Sequence, residues 1–107
     1  MKHLYKITKI TDIDGEEKSD YDSRNRTGRI YLIDPELIRI DASAFIECIH
    51  PSWFKSVITS HVKSILIYPD FALFVITTEN SIYTFKRMTS EDILPPDSDI
   101  EALKEYL

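Results

Sequence analysis

The chain has 107 residues, 43% of them apolar and 29% charged, with a formal net charge of −5. That length predicts a single domain, residues 1–107, with a hydrophobic core of its own, and the composition excludes wholesale disorder. No run approaches the roughly 18 apolar residues of a membrane span, and Cys48, the only cysteine, excludes an internal disulfide and points to a reducing, cytoplasmic setting.

In chain order, "MKHLYKITKI" alternates polar and apolar residues, where a signal peptide would carry an apolar run, so a first strand is predicted over about residues 3–10. The polar stretch "TDIDGEEKSDYDSRNRTG" follows and reads as a long loop over 11–28. Its "DIDG" lacks calcium-loop spacing. Counted from Asp12, Gly15 is fourth where the glycine should be sixth, and Ser23 stands where a bidentate Glu is needed. "GRIYLID" (28–34) is predicted as a second strand ended by Asp34-Pro35, and "ELIRIDAS" (36–43) as a third. "AFIECIHPSWF" (44–54) fits a short fourth strand or an irregular crossing segment, with a loop or single helical turn from Pro51.

From Val62 to Arg87 the pattern is a meander: "VKSILIY", a turn at "YPDF", "ALFVITT", the pair Glu79-Asn80, then "SIYTFKR". A two-residue loop fixes the register, so Thr78 faces Ser81, Ile76 faces Tyr83 and Phe74 faces Phe85. One face then carries Ile65, Ile67, Ala72, Phe74, Ile76, Tyr83 and Phe85. The other carries Leu66, Tyr68, Leu73, Val75 and Ile82, too many apolar groups to leave in water. A cover is offered by "DSDIEALKEYL", predicted as a helix over 98–107 after the Pro95-Pro96 spacer. Ser98 and Glu101 form a capping box, and Ile100, Leu103 and Leu107 make one stripe. The alternative cover is a partner or a second copy. The fold class expected is mainly β: a small, partly open barrel of five to six antiparallel strands over 3–87, with a C-terminal helix.

The charge is uneven. Residues 12–22 and 91–107 each carry six acids and one lysine, while the rest holds eleven basic against six acidic side chains. An acidic loop and tail thus decorate a mildly basic body, which speaks to partners and solubility.

Three short motifs, Arg26-x-Gly28-Arg29-Ile30, "TSHVKSI" (59–65) and "TTENSIYTF" (77–85), resemble those of small uncharacterised bacterial proteins, often encoded near mobile elements of Gram-positive bacteria. Such proteins look like compact Src-homology-3-like barrels. The resemblance covers roughly residues 3–87 and implies a fold and a bacterial setting, with no activity, cofactor or site residue attached.

Catalytic signatures are sparse. Cys48-x-His50 supplies two of the three or four ligands a zinc site needs, and a Cys-His nucleophilic pair also wants an orienting third group. There is no phosphate loop, nucleophile elbow or dinucleotide fingerprint. No cofactor or metal is therefore expected, and no enzyme, with Cys48 or His50 chemistry the remotest alternative. Trp53-Phe54 beside Pro51 is the strongest candidate for an exposed protein-docking anchor, since aromatic anchors dominate interface energetics; the competing structural role for Trp53 is to plug a barrel end. Arg24, Arg26 and Arg29 before Tyr31, with Lys86-Arg87 closing the last strand, would make a basic and aromatic nucleic-acid patch if they met. The acidic net charge counts against it. The sequence thus predicts a non-catalytic protein-interaction or accessory module with an unknown protein partner and no membrane association. Homodimerisation and nucleic-acid binding are its alternatives, and an acidic inhibitor of a nucleic-acid enzyme is more distant.

Overall fold

The computed structural model describes residues 1–51, 53–54, 56–92, 94 and 102–107. Six strands, β1 (His3–Thr11), β2 (Ile30–Ile33), β3 (Ser43–His50), β4 (Ser56–Ile67), β5 (Leu73–Thr78) and β6 (Ile82–Arg87), pair antiparallel in chain order. β6 returns to β1, so the barrel is closed, where a partly open one was expected. Alternation along each strand sends Tyr5, Ile7, Tyr31, Ile46, Phe74, Ile76 and Phe85 inward. Phe74 stacks on Phe85 at 4.4 Å, with the Tyr5 ring edge-on to Phe74 at 4.7 Å. Burying side chains of this kind stabilises by roughly 1.5–3 kcal/mol each.

Two of the four register shifts among the described strands decide which apolar residues face inward. A register shift between Ile7 and Lys9 lets Ile7 and Ile10 both face inward, and one between Val62 and Ser64 does the same for Val62 and Ile65. The reversal at Glu79-Asn80 has the predicted register, with Phe74 opposite Phe85 and Ile76 opposite Tyr83. Neither turn residue adopts positive φ. The Thr78 side chain closes the turn instead: its Oγ1 accepts from the backbone N–H of Ser81 at 3.1 Å and of Asn80 at 3.3 Å, while the Thr78 N–H donates to the Ser81 carbonyl at 2.8 Å.

Several sequence expectations need correction. The loop over 11–28 contains α1 (Tyr21–Arg26), capped by Asp20, whose carboxylate accepts from the Ser23 N–H and hydroxyl. The third strand expected over 36–43 is a 3-10 turn, Pro35–Leu37, capped by Asp34, followed by irregular chain. The real third strand is Ser43–His50, the segment that had read as ambiguous. β4 starts six residues before Val62 and runs for 12 residues. Of the C-terminal helix expected over 98–107, residues 98–101 lie outside the described residues, and the remainder holds only a 3-10 turn, Lys104–Tyr106.

That segment covers a different face from the one predicted. Leu103, Tyr106 and Leu107, with Leu94, pack on Leu4, Ile30 and Met88, outside β1 and β2. Leu66 and Tyr68, outside β4, stay exposed, and Leu73, Val75 and Ile82 are half-buried. On the inner face, Ile67 and Ala72 lie at the exposed rim while Ile65 packs on the core.

Candidate interaction site

The strands place α1, the 51–55 connection and the 79–81 turn at one end of the barrel, and the 69–71 turn with Arg87 at the other. At the first end, β2 enters beside β3, with Ile30 opposite His50, so Arg29 lies next to the chain leaving β3. Its guanidinium sits 4.6 Å from the centre of the Trp53 ring and 4.3 Å from that of Phe54. The two rings meet edge to face at 6.1 Å. Asn25 of α1 fixes the guanidinium from behind: its carbonyl accepts from Arg29 Nε, and its side-chain oxygen from Nη2 at 3.2 Å. Phe54 packs against the barrel core, whereas Trp53 is 70% exposed. Phe54, not Trp53, plugs this end.

The other basic and aromatic residues do not join one surface. Tyr31 is fully buried, and its hydroxyl donates to the Arg26 carbonyl at 2.7 Å. Burial, then the neighbouring Cys48, pushes its phenol well above the usual tyrosine range. Arg26 is half-buried and donates to the Tyr83 hydroxyl at 2.9 Å, while Arg24 is exposed on α1. Lys86 and Arg87 lie three and four residues beyond Tyr83 along β6, a distance of roughly 10–13 Å at the usual strand rise. Arg87 is committed to the Asp70 carbonyl at 2.9 Å. The site that assembles is thus Trp53, Phe54 and Arg29, tied through Asn25 to α1, the helix that also carries exposed Arg24. Asn25, which orients Arg29, was not singled out in the sequence; its only signal was its place four residues before Arg29 in a helix too polar to show an apolar stripe.

The chemical alternatives are less developed. The Cys48 thiol is buried and points to the backbone carbonyls of His50 and Pro51, at 3.4 and 3.9 Å. Burial raises its pKa, which works against the thiolate that nucleophilic or metal chemistry requires. Among the described residues, no group of three or more His, Cys, Asp or Glu side chains could hold a metal ion, and no helix is long and apolar enough to cross a membrane. An open cleft of about 480 Å³ lies at the far end, lined in part by Arg87, Met88 and Leu107, away from the aromatic cluster. Compared with protein-family models, curated proteins and solved structures, the chain finds no match.

Proposed function

We propose that this protein is a non-catalytic interaction module that docks a protein partner through Trp53, with Arg29 and Arg24 at its side. The observation that carries this reading is a large aromatic ring left 70% exposed, yet held by a stacked guanidinium and an edge-on ring. A ring fixed before binding loses little conformational freedom on docking, which is what makes aromatic anchors effective. The guanidinium stack itself contributes about 0.5–1 kcal/mol at an exposed site. The partner chemistry that fits is an apolar slot rimmed by carboxylates, the first for the indole and the second for Arg24. The single reduced cysteine and the likeness to Src-homology-3-like bacterial barrels support an adaptor or accessory role in a bacterial cytoplasm. Nucleic acid has weaker support, because Tyr31, Tyr83 and Phe85 are buried and cannot stack on bases.

The experiment is cross-linked affinity capture with wild type, Trp53→Ala and Phe45→Ala, followed by titration of the captured protein. Trp53→Ala is expected to weaken binding at least about 30-fold, the equivalent of a hot-spot loss of 2 kcal/mol. Melting temperature should barely move. Phe45→Ala, an exposed aromatic elsewhere on the barrel, should bind normally. Undiminished capture by Trp53→Ala would overturn the proposal.

A further inference from the structure

The outer half of β4 carries a second interaction surface of a different kind. The β3–β4 ladder begins at Glu47 opposite Ser56 and ends at Ser43 opposite His61, and Ala42 and Asp41 then bond Val62. Asp41 adopts a left-handed φ of 64°, and the chain continues no strand beyond it. From Lys63 onward β4 therefore has β5 on one side and, among the described residues, no strand on the other.

Tyr68 donates its N–H to Leu73, so Tyr68, Leu66 and Ser64 direct their backbone groups to β5. Ile65 and Ile67 stand opposite Ile76 and Phe74 as the non-hydrogen-bonded pairs of the β4–β5 ladder, so by alternation their N–H and C=O point outward, where no described residue bonds to them. The side chains are equally bare: Leu66 is 56% exposed, Ile67 38% and Tyr68 44%. "SILIY" (64–68) has no charge, glycine or proline. The features that normally blunt an open edge stand only at its ends: the bulge and Lys63 before it, Pro69 after it.

We infer that this edge pairs with the same edge of a second copy of the chain, antiparallel about a two-fold axis at Leu66. That register places Ile65 opposite Ile67 of the second copy and Ser64 opposite its Tyr68, with Leu66 meeting its own counterpart. It satisfies all four outward groups of each copy with four shared hydrogen bonds and brings no like charges together. Such self-complementarity is what a two-fold interface requires, and it favours a second copy over an unrelated strand. β4 runs 12 residues away from the Trp53 connection, so each copy keeps its aromatic anchor free and the pair becomes bivalent.

The test combines sedimentation over a dilution series with amide hydrogen exchange on the full chain. Wild type is expected at twice the 12.5 kDa chain mass, with the Ile65 and Ile67 amides protected. Leu66→Lys, at an exposed position that spares the β5 ladder, should give a folded monomer in which those two amides exchange freely and Leu66-to-β5 partners stay protected. Mixing Leu66→Lys with Leu66→Glu should restore the dimer. A wild type that is monomeric at every concentration overturns the inference. So does a dimer whose Ile65 and Ile67 amides exchange freely, or one that Leu66→Lys leaves intact.

Discussion

Replacing Thr78 with Val isolates the device that closes the β5–β6 turn. Thr78 and Ser81 are both buried, and Thr78 Oγ1 is the acceptor given to the Ser81 N–H. Valine has nearly the same shape, so no cavity forms and β propensity does not fall. What is lost is the acceptor for a buried donor, a penalty of about 1–3 kcal/mol. The Asn80 N–H belongs to an exposed residue and can turn to water, and the Ser81 carbonyl keeps its bond from the Thr78 N–H. The net expectation is therefore about 2 kcal/mol, lowering the urea midpoint by about 1 M for an m-value of 1–3 kcal/mol/M. Thr78→Ser keeps the hydroxyl and loses one methyl, about 0.8 kcal/mol. Serine should thus be milder than valine, the reverse of the order that hydrophobicity or strand propensity gives. Urea unfolding followed by circular dichroism decides it. A valine variant as stable as wild type would refute the reasoning.

Other outcomes follow from the same contacts. Leu103→Ala removes a half-buried side chain from the Leu4–Ile30–Met88 cluster and should cost about 1–2 kcal/mol, part of the full core penalty. It should also speed proteolysis near the C-terminus; an unchanged digest would contradict that packing. His3 is buried, and desolvation first and the Arg87 charge second push its pKa down. A lowered folded value means the stabilisation is complete above the unfolded value of about 6.5 and is lost as pH falls through it toward the folded value. Melting temperature should drop on acidification across that range, less steeply in His3→Gln; equal slopes would exclude His3 as the cause. The Cys48 thiol should resist alkylation in the native protein at neutral pH and react once urea unfolds the barrel, with mass spectrometry as the readout. Rapid native labelling would show that burial does not control it.

The β5–β6 hairpin was legible because a two-residue reversal between apolar runs admits one register, and the face pattern followed from it. β4 was legible only in its second half. Two register shifts, one between Ile58 and His61 and one between Val62 and Ser64, put Val62 out of phase with Val57 and Thr59 before it and with Ile65 after it, so the run does not read as one strand. "ELIRIDAS" misled for the opposite reason. Its alternation is regular, but Leu37 and Ile40 point to solvent and only Ile38 reaches the core, where a 3-10 turn after Pro35 delivers it. α1 was hidden because its six residues have no apolar stripe; its signal was the cap pair Asp20–Ser23. Leu103 and Leu107 showed helical spacing, yet they are used as contacts around a 3-10 turn.

At the site, Trp53-Phe54 stood out as adjacent aromatics in a polar connection, and the sequence could not say which ring faces out. The stack with Arg29 was also illegible, since it depends on β2 entering beside the end of β3, a long-range pairing. Lys86 and Arg87 seemed close to the other cations only because the length of β6 was not yet between them.

The interaction reading rests on one ring being outside the barrel, and Trp53 is the only tryptophan, so its own fluorescence reports on it. In the isolated folded protein, emission should resemble that of tryptophan in water and be readily quenched by acrylamide, with little shift on unfolding in urea. A blue-shifted, quencher-resistant emission that moves to the red on unfolding would put the indole inside the barrel and contradict the account.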